Sequence, residues 1–183
     1  MLAVGSHVRR FNAGDPVIIV DYPNFPHGIA PTLEQMKGSP GSVAPGTFRE
    51  FGVFDQDGLI AKPSNLTYEE SATLPCSALT SWNALHGLSP LKPGDYVLAQ
   101  GTGGVSLFAI LFALAAGSVV IATTSSDEKA ERLRKMGVQH VLNYKTDPNW
   151  DETARKLSPA GLGCQRAADH CAVVFLRGTW RGN

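Results

Sequence analysis

Two patterns of apolar and polar residues divide the chain near residue 63. Ahead of that point the apolar residues fall in short runs among many glycines and prolines. Pro16-Val17-Ile18-Ile19-Val20 reads as a strand leaving the turn Asn12-Ala13-Gly14-Asp15, and Thr47 to Phe54 as a second extended segment. Between them, Tyr22 to Pro45 is a long proline-bearing loop with a faint helical pattern at Leu33 to Lys37.

From residue 64 helical and strand spacing alternate. Thr67-Tyr68-Glu69-Glu70 reads as a capping box, and a helix at about Ser77 to His86 is stopped by Gly87 and Pro90. Lys92-Pro93-Gly94-Asp95 turns the chain into a strand, Tyr96-Val97-Leu98-Ala99. A glycine turn leads to a small-residue helix, Leu107 to Ala116, and then a second strand, Ser118 to Thr123. Ser125-Ser126-Asp127-Glu128 reads as another capping box, with Ser125 as the cap, on a helix that Gly137 closes after Met136. A third strand, His140 to Asn143, and a helix, Trp150 to Leu157, follow. This order predicts an α/β fold with a doubly wound parallel sheet. The apolar run Ala172 to Leu176 is the candidate for a fourth strand; uncovered, Tyr96 to Ala99 would be an apolar edge open to partner pairing.

Composition narrows the function classes. Sixteen acidic and sixteen basic residues balance, which gives no electrostatic case for nucleic acid or an anionic membrane. The three cysteines (Cys76, Cys164, Cys171) are too widely spaced for a disulfide framework or a zinc knuckle. No run approaches a membrane span and no signal pattern precedes the first strand, so Asn65-Leu66-Thr67 is read as a chance sequon. A soluble cytoplasmic protein acting on a small molecule is expected.

The chemistry lies in Gly101-Thr102-Gly103-Gly104-Val105-Ser106. Strand, glycine turn and helix together make a phosphate-binding device, because the glycines admit a pyrophosphate to the backbone and the helix start offers free N–H groups. The same glycines could serve only a tight turn and close packing, and Ser106 stands where the usual fingerprint has a third glycine. An NAD site places an acid about 20 residues further on, at the end of the second strand. Here that region reads Ala122-Thr123-Thr124-Ser125-Ser126, with no acid before Asp127. The hydroxyls of Thr124 and Ser125, with Lys129 one turn on, suit a 2′-phosphate and favour NADP(H). Ser125 as a plain cap and Lys129 as a solvated charge remain open readings.

At this point the chain resembles the medium-chain dehydrogenases/reductases, in their alcohol dehydrogenase-like and quinone reductase-like branches. The resemblance rests on Val4 to Asp15, Ala72 to Leu85, Leu91-Lys92-Pro93-Gly94-Asp95, the glycine turn and Leu142-Asn143-Tyr144, and runs over about residues 4 to 163. It implies a partial GroES-like β-barrel segment in 1–70, then the first half of a Rossmann-type sheet in 71–183, with an atypical tail at 164–183. It also implies NADP(H)-dependent hydride transfer to or from an alcohol, carbonyl or enone, and Tyr144 near the adenosine phosphate. Cys76 falls at the third zinc ligand of zinc-containing relatives. One thiolate cannot hold a catalytic zinc, so Cys76 is expected to be a small buried residue and no metal is assigned. His27 and His86 have no metal-like spacing, and His86 is expected to pack; no catalytic residue is identified. Set against the family, the chain is expected to be cut at both ends, with a tail from Arg177 to Asn183 like a shifted exon. Impaired turnover is therefore expected. A non-catalytic remnant that binds nucleotide weakly, or pairs with another subunit or a second copy, is the alternative.

Overall fold

The computed structural model describes residues 1–25, 30–87 and 90–158, and the backbone of 163–166 and 173–177. His27, and the 167–172 and 178–183 parts of the tail, lie outside them. The chain forms two compact units, Met1–Cys76 and Ser77–Asn183. No helix among the described residues is long and apolar enough to cross a membrane.

In the first unit, β1 (Val17–Ile19) leaves a turn in which the Asn12 N–H donates to the Asp15 carboxylate at 2.7 Å and Gly14 takes φ +95°. A helical turn, α1 (Leu33–Met36), carries a full capping box from Thr32 and Gln35 in the loop where only a faint helical pattern was legible. The strand that pairs with β1 is β2 (Leu59–Ala61), antiparallel, in the register Ile18↔Ile60. Phe11, Ile18 and Leu59 are buried. The extended segment expected at Thr47 to Phe54 joins no ladder: Phe48, Phe51 and Val53 stand exposed there. Alternating apolar residues make a strand only where a neighbouring edge accepts their backbone groups. Next comes α2 (Tyr68–Ala72), capped as expected, the Glu70 N–H donating to Thr67 Oγ1 and the Thr67 N–H to the Glu70 carboxylate. The Glu69 backbone N–H and the Thr67 hydroxyl hold the Glu69 carboxyl below the ordinary glutamate range.

The chain then passes through a π-helical turn, Leu74–Ala78, into α3 (Leu79–His86), so the single helix expected from Ser77 is divided. Cys76 in this turn is exposed, against the expected burial. His86 does pack, its ring 4.3 Å from that of Trp82.

The second unit is built on the predicted alternation: β3 (Tyr96–Gln100), α4 (Gly104–Ala115), β4 (Val119–Thr124), α5 (Asp127–Lys135), β5 (His140–Asn143) and α6 (Trp150–Leu157). β3, β4 and β5 are parallel and adjacent, in the registers Gln100↔Thr123 and Thr124↔Asn143. Period-two alternation sends Val97, Ala99, Val120 and Ala122 to one face, with Ala109, Ile110 and Ala113 of α4 and Leu133 of α5. Leu98 and Ile121 point to the other face, against Ala154, Trp150 and Leu157 of α6. Alanines at 109 and 113, both fully buried, let α4 lie close to the sheet. Gly137 (φ +98°) ends α5 in a Schellman-like turn, the Val138 N–H donating to the Leu133 carbonyl at 3.2 Å.

Beyond α6 the backbone forms a hairpin of β6 (Gly163–Arg166) and β7 (Val173–Arg177), and β7 pairs antiparallel with β3 at Leu98↔Val174 and Ala99↔Val173. The sheet order is β5-β4-β3-β7-β6. The run expected as a fourth strand does take the fourth position, but antiparallel: β6, reached through α6, runs in the direction of β3, and β7 turns back from it in the hairpin. Of the edge expected to be open, the Leu98 and Ala99 part is thereby paired.

Candidate functional site

The three parallel strands end side by side, where a glycine turn leaves β3. Gly101 leaves β3 with φ +81°, a conformation that favours glycine, and its N–H lies 3.1 Å from both the carbonyl and the hydroxyl oxygen of Thr123 at the end of β4. Gly103 is the N-cap of α4, and no side chain caps the helix. Its first N–H groups have neither an intrahelical acceptor nor a side-chain cap.

The three glycines are required for different reasons. Gly101 serves the positive φ. At Gly104 a Cβ would lie 2.8 Å from Ser77 Oγ, so this glycine serves packing against the π-helical turn ahead of α3. Gly103 has an ordinary φ of −78°, and a Cβ there would meet nothing within 4 Å. Neither backbone nor neighbours require glycine at 103; a ligand lying on the turn would. Thr102, half-exposed, sits between them, and Val105 is buried under the helix.

Serines brace the turn. Ser106 Oγ donates to the Gln100 carbonyl at 2.8 Å, spanning the turn from helix back to strand, so the hydroxymethyl group in the third-glycine position closes the loop. Ser81 on α3, fully buried, has its hydroxyl 2.7 Å from the Val105 carbonyl and 2.8 Å from the Ser77 carbonyl. Sequence reasoning missed Ser77 and Ser81; their signal was two small polar residues four apart, one helical turn, ahead of a glycine turn.

Beside the turn, the ends of β4 and β5 form a second corner. Thr124 is 1% exposed and its hydroxyl accepts from the Ser126 N–H, so its side chain holds the turn. The cap of α5 is Ser126, which accepts the Lys129 N–H, rather than Ser125 as expected. Extended backbone at Ser126 (φ −144°, ψ 133°) places its own hydroxyl over the first turn, and Glu128 pairs with Arg132 at 2.6 Å instead of reaching back. Ser125 is thus released from capping and stands half-exposed just before the helix; Lys129 is exposed and forms no ion pair among the described residues. Tyr144 follows β5, 43% exposed, tied by its N–H to the Thr124 carbonyl at 3.0 Å. Asp127, the acid nearest the end of β4, accepts a hydrogen bond from Asn143 Nδ2 at 2.8 Å. That pair was not foreseen either; it joins residues 16 apart on different elements.

A family model described as zinc-binding dehydrogenase matches residues 104–173, from the first residue of α4 to the first of β7. A zinc-type alcohol dehydrogenase-like protein of Schizosaccharomyces pombe is 44% identical over 157 residues, 85% of this chain and 45% of that protein. A structure assigned as an alcohol dehydrogenase of Sinorhizobium meliloti superposes with a TM-score of 0.78 at 38% identity, over 84% of this chain and 46% of that one. The chain belongs to the medium-chain dehydrogenase/reductase family. It spans under half the length of these relatives. A further solved structure, of an NAD-dependent alcohol dehydrogenase, superposes with a TM-score of 0.71 at 33% identity, over 85% of this chain and 47% of its own. The likeness confirms the α/β fold class, with the parallel three-stranded part as the first half of a doubly wound sheet.

The zinc in the family's description does not fit the described residues. No group of three His, Cys, Asp or Glu side chains among them could hold a metal ion, and exposed Cys76 brings no set of ligands with it.

Proposed function

We propose that this chain carries the adenosine-phosphate half of a nicotinamide dinucleotide site tuned to NADP(H), within an oxidoreductase that transfers hydride to or from a small alcohol, carbonyl or enone. The observation that carries it is Gly103, a glycine that no backbone angle and no neighbouring atom demands, at an uncapped helix start beside two glycines that the fold does demand. The bound cofactor supplies the hydride chemistry. The chain's own part is to seat the pyrophosphate on the turn from Gly101 to Ser106, with Thr102 and the N–H groups of Gly104 and Val105 facing it.

The preference for NADP(H) rests on the charges at the ends of β4 and β5. Thr124 is buried, Asp127 is engaged by Asn143, and Ser125, Lys129 and Tyr144 remain accessible around the same corner. A hydroxyl and a cation favour a 2′-phosphate, whereas a ribose hydroxyl pair is best met by a carboxylate. A small-molecule substrate and a cytoplasmic setting accord with this reading.

Calorimetric titration of the 183-residue chain with NADPH and NADH tests it. Tighter binding of NADPH, with Lys129→Glu removing the difference, is expected. Equal or absent binding refutes the preference.

A further inference from the structure

We infer that Asn143 is a positioning residue for cofactor choice: by holding Asp127, it keeps that carboxylate away from the 2′-phosphate position. The inference rests on the NADP(H) reading above. Asp127 is the first residue of α5, directly after Ser125-Ser126 and two residues before Lys129. In a dinucleotide site an acid at this end of the second strand selects for the unphosphorylated ribose. The carboxylate is therefore in the wrong place for a phosphate unless something holds it aside.

The Asn143 amide does so. Its Nδ2 donates to Asp127 Oδ1 at 2.8 Å, while its Oδ1 accepts the Lys145 N–H at 3.1 Å. The second bond fixes the amide plane, so the donor faces Asp127 and the acceptor faces the turn after β5. The Asn143 carbonyl further receives the N–H groups of Thr146 and Asp147 at 3.0 and 2.9 Å. The residue is thus held at three atoms, and its amide is a fixed partner for a carboxylate on the neighbouring helix. Without it, the exposed Asp127 side chain can turn toward the anion that Ser125 and Lys129 face.

The test is fluorescence titration of the intact chain with NADPH and NADH, for the parent, Asn143→Ala, Asp127→Asn and the double variant. Asn143→Ala should weaken NADPH about fivefold and leave NADH unchanged or tighter, the scale expected of one exposed charge near a phosphate. In the Asp127→Asn background the Asn143→Ala substitution should leave the NADPH-to-NADH ratio unmoved. Equal weakening of both cofactors, or the same change of ratio with Asp127 neutralised, overturns the inference, as does an unchanged ratio in Asn143→Ala. If that variant does not fold, Asn143→Ser, too short to reach Asp127, reads the same ratio. A parent with no preference between the cofactors refutes the NADP(H) reading itself, whereas a parent that prefers NADPH with an unmoved variant refutes only the role of Asn143.

Discussion

Substituting alanine at each glycine of the turn should separate those that serve the fold from the one that serves the ligand. Gly103→Ala adds a Cβ at φ −78° with nothing within 4 Å. The stiffer unfolded chain gains about 0.4–1 kcal/mol for the fold, and the poorer N-cap loses a similar amount, so stability should move by less than about 0.5 kcal/mol. At Gly101, with φ +81°, alanine enters the left-handed region at a cost of about 1–2 kcal/mol. Gly104→Ala drives a Cβ to 2.8 Å from Ser77 Oγ and 3.4 Å from Ser77 Cβ. The hydroxyl can rotate but the Cβ cannot, so a cost of about 1 kcal/mol is expected, the low end of overpacking. Binding should rank differently. Gly103→Ala puts a methyl where the pyrophosphate would lie and should weaken NADPH at least tenfold, equivalent to about 1.4 kcal/mol. Urea unfolding with and without NADPH measures both quantities on the same samples. A Gly103→Ala variant that binds NADPH like the parent, or that loses 2 kcal/mol of stability without ligand, would falsify the assignment of this glycine to a ligand.

Three other outcomes are expected. Ser81→Ala removes the hydroxyl 2.7 Å from the Val105 carbonyl, which keeps its intrahelical donor, and should cost about 0.5–1.5 kcal/mol in urea unfolding, with weaker NADPH binding as the first turn of α4 loosens; an unchanged stability would show that the brace is idle. Leu133→Ala empties a core position 1% exposed beneath the α5 end turn and should cost about 2–5 kcal/mol, read as a lower denaturation midpoint at constant slope. Glu69 should titrate below ordinary glutamates by carboxyl NMR, and Thr67→Ala should raise its midpoint. Because the folded value is depressed, its contribution to α2 is full above the unfolded value and is lost as pH falls through the folded one; a Glu69 midpoint at or above ordinary glutamates refutes this.

What the sequence made legible was local. The bounds of β5 and α6 coincide with the reading because both lie between sharp stops, with Gly137 before one and Ser158 after the other. The α2 capping box was legible because a Thr and a Glu three apart satisfy each other without help from the rest of the chain. At α5 two adjacent serines competed for the cap, and backbone dihedrals, not composition, gave it to Ser126. The direction of β7 depends on a hairpin partner, and the Asn143–Asp127 contact on the β4–β5 register; neither leaves a mark on spacing. The order of strand, glycine turn and helix at Gly101 was legible, but Ser81, whose hydroxyl lies 2.7 Å from the Val105 carbonyl, comes from a helix read only as a connector.

The pairing of β7 with β3 also sets an order of assembly. β3, β4 and β5 with their helices form through neighbours in sequence, so they can condense while the ribosome is still adding the residues that follow. The β3 strand cannot complete its second ladder until Val173 and Val174 have emerged, long after its first. For that interval the nascent sheet carries a bare strand edge next to the glycine turn, the state in which a growing chain is most exposed to mispairing and most in need of chaperone cover.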